Sequence, residues 1–229
     1  AWMNAYRSQE RMDKEITTIV SNNSNFVKGK PGEPVLISWD DATTMFHEFG
    51  HAIHGLASNV TYPSLSGTNT TRDHVEFPSQ VLERWLATPE VLNKFMVHYK
   101  TGKPIPQALV DKIKKADTFN QGFDTTEYLS SALVMPSEIV MRHRTPQFGH
   151  LFSSDGYSAG YYSYLWSDVL SADAWEAFTE GRGAYDKKVG DSLVKNIFSV
   201  GNTIDPAEGY RRFRGGDLQT SALNANKRL

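Results

Sequence analysis

Residues 47–51 read His47-Glu48-Phe49-Gly50-His51, and this pentapeptide governs how the rest of the chain is read. On an α-helix, two residues four apart lie about 40° apart around the axis and about 6 Å along it. Both imidazoles then face one side and can reach a single metal ion. Glu48 falls between them, where its carboxylate can reach a water on that ion. Two nitrogen ligands, a base and an open coordination position are what a hydrolytic zinc centre needs. The flanks agree with a helix over residues 40–57. Ser38, Asp40 or Asp41 can cap its start, and Met45, Phe46, Phe49, Ile53 and Leu56 form an apolar stripe at helical spacing, which predicts a half-buried element. The competing reading is an amphipathic helix with incidental histidines.

Zinc needs a third protein ligand. The longer His-x-x-Gly-x-x-His pattern is absent, because Ala52-Ile53-His54-Gly55 does not continue to a histidine at the required place. The best candidate is Glu76, in Arg72-Asp73-His74-Val75-Glu76-Phe77-Pro78-Ser79-Gln80, beyond a turn-rich stretch at 58–71 that can reverse the chain. Asp73-x-x-Glu76 is also a capping-box spacing, and Pro78 requires a helix that starts near it or kinks. His74 is the rival ligand. His54 shares the face of His47 and His51, and reads either as a group behind the ligands or as a packing histidine. Asp73 or Ser79 could orient a ligand, or could equally cap a helix.

The second informative stretch runs from Phe148 to Tyr164. Tyr157 and Tyr164 are seven apart and share a face of a helix that starts near Tyr157. Amide hydrolysis creates a tetrahedral oxyanion, which needs a donor besides the metal, and Tyr or His can supply it. A core aromatic cluster is the alternative, and Tyr161, Tyr162 and Trp166 are assigned to it. Gly156 and Gly160 would let the loop close over bound peptide. Arg142-His143-Arg144 and Arg211-Arg212-Phe213-Arg214 read as a salt-bridged or solvated face, or as a site for a peptide carboxylate.

Composition bounds the rest. With 229 residues the chain has room for one large domain or two small ones, and a net charge of −2 gives no case for nucleic acid or an anionic membrane as partner. No cysteine is present, so any metal must use N and O ligands. No apolar run approaches the roughly 18 residues of a membrane span. No leader is visible, and the expected location is the cytoplasm, with the periplasm as alternative. Ile16–Val20 and Pro34–Ser38 read as short strands, and residues 1–12 as a polar helix end or irregular segment. Helices are expected over 40–57, 74–87, 89–101, 106–117, 120–134, 157–180, 184–199 and 205–213. The fold class is mainly α, with a small β element near the site.

The chain also resembles, over nearly its whole length, the thimet oligopeptidase family of zinc metallopeptidases, most closely the bacterial peptidyl-dipeptidase and oligopeptidase A branch. The matching runs include Ala1-Trp-Met-Asn, Thr44-Met-Phe-His-Glu-Phe-Gly-His-Ala-Ile-His-Gly and Tyr62-Pro-Ser-Leu-Ser-Gly. They continue with Val75-Glu-Phe-Pro-Ser-Gln, Phe119-Asn-Gln-Gly-Phe, Thr126-Glu-Tyr-Leu, Gly156-Tyr-Ser-Ala-Gly-Tyr-Tyr-Ser-Tyr-Leu-Trp and Tyr210-Arg-Arg-Phe-Arg-Gly. The resemblance implies a zincin-like catalytic helical domain. It implies one Zn²⁺ per chain held by His47, His51 and Glu76, a glutamate 29 residues after the first histidine. Glu48 would be the general base, and His150, Tyr157 and Tyr164 would contact substrate and transition state. The implied substrates are short peptides, cut internally or relieved of C-terminal dipeptides by a monomer.

Two departures stand out. Family members carry a large helical N-terminal region that walls a deep channel, and this sequence has none of it. Leu133-Val-Met-Pro136 joins stretches that the family separates by some tens of residues. The expectation is a single catalytic domain over 1–229, a fragment or shortened form with a junction near 134–136, packing against an N-terminal helical region. The alternative is a catalytically incompetent peptide-binding or structural fragment.

Overall fold

A computed structural model describes residues 1–116, 118–133, 147, 149–152, 157 and 160–227. The chain opens with strand β1 (Trp2–Arg7), antiparallel to β2 (Ile19–Asn23), with Trp2 opposite Asn23 and Ala5 opposite Val20. This corrects the reading of residues 1–12, and it moves the second strand three residues later than expected. Neither strand alternates clearly between buried and exposed positions, so pairing rather than burial defines them. Residues 34–38 form no strand. They run unpaired into the next helix, leaving Val35 and Leu36 exposed.

Helix α1 (Trp39–Ala57) carries the pentapeptide. Ser38 caps it with a reciprocal pair: the Asp41 amide donates to Ser38 Oγ (3.0 Å) and the Ser38 amide to Asp41 Oδ2 (3.1 Å). Helix α2 (Phe77–Glu83) begins with Pro78 in its first turn, where a missing N–H leaves no intrahelical bond unmade. A short 3₁₀ turn, Arg84–Ala87, extends it. Then come α3 (Pro89–Phe95), α4 (Gln107–Ala116), α5 (Gln121–Leu133) and α6 (Gly149–Phe152). The long α7 (Tyr162–Glu180) starts later than residue 157. Helix α8 (Lys187–Leu193) passes into a π turn, Val194–Phe198, and α9 (Pro206–Arg214) and α10 (Ser221–Lys227) close the chain. The third expected helix stops at Phe95, because Val97 turns back to pair with Pro104. Among the described residues the fold is mainly α with one two-stranded sheet. The expected junction at 134–136, Gly156, and Arg142 to Arg144 lie outside the described residues.

Helix α2 is the middle layer, packed between α1 and α7. Phe77 and Val81, four apart on one face, are fully buried with Leu170, Ala174 and Phe178 of α7 and with Ile197, Phe198, Tyr210 and Phe213. Each such side chain contributes about 1.5–3 kcal/mol by leaving water. The buried Asp173 is satisfied within this core: the Tyr210 hydroxyl donates to it at 2.7 Å and Arg214 pairs with it at 3.3 Å.

The buried face of α1 is the reverse of the expected one. Glu48, Gly50, His51, Ala52, His54 and Gly55 are buried; of the apolar stripe Ile53 packs against the core, whereas Met45, Phe49 and Leu56 are exposed. Small residues allow the close contacts. A Cβ on Gly50 would stand 2.6 Å from the Pro78 carbonyl oxygen and from Ser79 Cα. At Gly55 the approach to β2 arrives instead, where the Thr18 hydroxyl, one residue before the strand, donates to the Gly55 carbonyl at 2.9 Å.

Candidate metal centre

His47 and His51 stand one turn apart on α1, their rings 4.9 Å between centroids and nearly perpendicular at 85°. Because α2 crosses α1 at Gly50, the residue just before its first turn, Glu76, comes to rest against both rings. Glu76 Oε2 lies 3.2 Å from His47 Nε2 and 3.0 Å from His51 Nε2. One ligand atom from each of the three residues lies within 4.8 Å of the others, and no other such group of three occurs among the described residues. Tetrahedral zinc with bonds of about 2.0–2.2 Å holds its ligand atoms roughly 3.3 Å apart. The observed spacing therefore fits such an ion, and the two imidazoles and one carboxylate are a donor set that zinc takes.

The sequence reading missed Glu83. Its Oε1 lies 2.6 Å from His47 Nδ1, the nitrogen turned away from the cluster. A carboxylate there fixes which nitrogen carries the proton and how the ring is turned. The available signal was spacing: Glu83 follows Glu76 by seven residues, two turns further along one face of α2. Ser79, read as either orienter or cap, places its hydroxyl 3.0 Å from Glu76 Oε2. Burial alone would lower the His47 pKa, but the Glu76 and Glu83 carboxylates outweigh it and raise it to about 10. Burial acts upward on Glu76, and the two histidines overcome it, holding that carboxyl far below its usual range.

Glu48 is buried on α1 between the two histidines. His54 is fully buried, rests against Phe198 at 6.1 Å, and has no hydrogen-bond partner for either ring nitrogen among the described residues. His74 packs edge-on to Phe77 at 5.5 Å and is not part of the cluster.

Tyr157 and Tyr164 come together, although Tyr157 precedes α7 rather than sharing its face, with their hydroxyls 3.2 Å apart and their rings stacked at 5.9 Å. His150 lies 4.5 Å from the Tyr157 ring, and the Arg72 guanidinium sits 4.6 Å over it. Burial pushes the Tyr164 hydroxyl pKa up, with the Glu76 carboxylate as the next cause, so the tyrosine pair lies within the field of the cluster. Tyr161, assigned by sequence to the core, instead rests against Tyr157, Tyr164 and His150, and Tyr162 and Trp166 are exposed. Tyr128 of α5 was not singled out by sequence. Burial raises its pKa, and the carboxylates of Asp168, Glu76 and Glu83 add to the rise.

The helix that carries both histidines, the glutamate delivered by a second helix and the outer carboxylate together make a group that could hold a metal ion. The comparisons give the family. A model of Peptidase family M3 matches in two overlapping stretches, residues 1–137 and 129–229, and the chain belongs to that family. It is 37% identical to the dipeptidyl carboxypeptidase of Escherichia coli (strain K12) over 94% of this chain and 35% of that protein. It is 34% identical to the oligopeptidase A of Salmonella typhimurium over 97% of this chain and 37% of that protein. A thimet-like oligopeptidase of Dictyostelium discoideum is 33% identical over 87% of this chain. The chain thus spans about a third of the length of the curated relatives it matches. Among the described residues, no helix is long and apolar enough to cross a membrane.

Proposed function

We propose that this chain carries the catalytic centre of a zinc-dependent peptidase that acts as a monomer on short peptides, releasing C-terminal dipeptides or cutting internally. The carrying observation is the convergence of His47 Nε2, His51 Nε2 and Glu76 Oε2. Relatives named dipeptidyl carboxypeptidase and oligopeptidase A support the choice of substrate. In this reading His47, His51 and Glu76 hold the metal, and Glu83 and Ser79 hold His47 and Glu76. A zinc ion held by His47, His51 and Glu76 would supply a water of pKa near about 7 and Lewis-acid polarisation of the scissile carbonyl. Glu48 takes the proton of the attacking water and delivers it to the leaving amine. Tyr157, Tyr164 and His150 donate to the developing oxyanion and orient the peptide.

The domain reading is also ours. One catalytic domain spans 1–229, with a junction near 134–136, and the division of the family match into two stretches that overlap at residues 129–137 supports it. A groove of about 780 Å³ lined by Leu36, Met45, Phe46, Phe95, Met96 and Leu109 is the face we assign to the helical remainder of a longer peptidase. Footprinting of such an assembly that left Met45 and Phe95 fully reactive would refute this assignment.

Two variants test the centre. Glu48→Gln should keep stoichiometric zinc and lose nearly all cleavage of an internally quenched peptide; near-normal turnover would remove Glu48 as base. Glu76→Ala should lose zinc on dialysis, and full retention would remove Glu76 as ligand.

A further inference from the structure

A second cavity, of about 640 Å³, lies between the 71–74 segment, α7 and α9. None of His47, His51, Glu76, Glu83, Tyr157 or Tyr164 lines it. Its size falls within the range of about 300–1,000 Å³ typical of small-molecule sites. Trp166, Val169, Leu170, Pro206 and Leu218 make an apolar wall. Among the described residues its charged lining is one-sided: Asp73, Asp205 and Asp217, with no lysine or arginine.

Two of those carboxylates are already spent. Asp205 caps α9, accepting from the Ala207 amide at 2.8 Å and from the Glu208 amide at 3.4 Å. Asp217 pairs with Arg211 at 2.6 Å. The partly buried Asp73 carboxylate has neither a hydrogen bond nor an ion pair among the described residues, although its carbonyl accepts from Ser167 at 3.2 Å. Beside it stands His74, only 4% exposed, lining the same cavity and making no side-chain hydrogen bond among the described residues. A neutral imidazole offers one acceptor nitrogen and a carboxylate offers acceptors only. The half-exposed Trp166 adds a ring face of the kind that attracts cations.

We propose that this cavity is a binding site for a small amphiphilic cation, an amine or guanidinium carried on an aromatic or branched aliphatic body. The cationic head donates to Asp73 and to the acceptor nitrogen of His74, and the body lies along Trp166, Val169 and Leu218. The site is separate from the metal cluster, so it stands or falls apart from the peptidase reading.

The test is calorimetric titration of the metal-free full chain with phenethylamine, with phenethyl alcohol as neutral isostere and hydrocinnamate as anion. The amine should bind saturably and at least about tenfold more tightly than the alcohol, the ratio expected for a hydrogen bond to a charged group. Asp73→Asn should bring the amine down to the affinity of the alcohol. Ala207→Trp, at an exposed position on the lining, should block both ligands and serves if Asp73→Asn fails to fold by circular dichroism. The proposal is overturned if amine and alcohol bind equally, if hydrocinnamate binds best, if either folded variant binds like the parent, or if no saturation occurs below about 10 mM.

Discussion

Gly50 gives the sharpest test of how the centre is built. A glycine in an open helix costs about 0.5–1 kcal/mol relative to alanine, so Gly→Ala usually stabilises. At Gly50 the sign should invert. The new Cβ would stand 2.6 Å from backbone atoms of Pro78 and Ser79, and ordinary contact begins at 3.4 Å, so the start of α2 must withdraw by at least 0.8 Å. Glu76 immediately precedes that turn and moves with it. Metal–ligand bonds tolerate about ±0.2 Å, so a shift of this size exceeds what the site can absorb. Overpacking should cost about 1–3 kcal/mol of stability, and zinc affinity should fall by at least the roughly 10–100-fold seen when supporting residues are lost. Thermal melts of the metal-free protein and chelator-competition titrations read the two effects separately. Gly190 of α8 is the control, since a Cβ there meets nothing within 4 Å and Gly190→Ala should be neutral or stabilising. If Gly50→Ala behaves like Gly190→Ala in both assays, the close crossing of α1 and α2 does not set the position of Glu76.

Glu83→Gln should lower zinc affinity by about 10–100-fold while leaving the helical circular dichroism intact, and an unchanged affinity in chelator competition removes Glu83 as support for His47. Tyr157→Phe should lower kcat by about 10²–10³ with zinc content unchanged; turnover within a factor of about two of the parent would place the oxyanion donor elsewhere. His54 and His74 ionise at 6.5 in the unfolded chain, while burial lowers them to about 3 and about 4 in the fold. The unfolded state therefore binds more protons between those values, and stability falls as pH drops through the window, by about 1.4 kcal/mol per pH unit for each histidine. In the metal-free protein His47, held at about 10, is protonated in the fold across this window and nearly so in the unfolded chain below about pH 5.5, so it adds little slope there. His54→Phe should roughly halve the slope measured by urea denaturation between about pH 6 and pH 5, and an undiminished slope refutes the assignment.

The pentapeptide was legible because its chemistry is local: helical geometry alone puts His47 and His51 on one face. Glu76 emerged from residue type and the turn-rich stretch before it, and the resemblance selected the same residue. What stayed hidden depended on a partner element. Gly50 reads in sequence as a mild helix flaw, and only the Pro78 and Ser79 backbone turns it into a requirement. Strand β1 was missed because its residues carry no alternation that burial would enforce. The apolar stripe of α1 was read correctly as a stripe and assigned to the wrong side. Periodicity locates a face but cannot say whether this chain covers it, and here the face that α2 and the sheet cover is small and polar.

That inversion follows from the order in which the layers are held. Helix α2 is anchored by Phe77 and Val81, both directed into the α7 core. Its opposite face must then meet α1, and it carries Glu76 and Glu83 rather than hydrophobes. A helix that receives two carboxylates at backbone contact cannot present leucines to them; it needs small residues for the approach and groups that neutralise the charge. His47 and His51 supply the second need, and Gly50 the first. The motif is therefore a packing signal as much as a chemical one, and moving the apolar stripe onto this face would destroy the crossing and the cluster together.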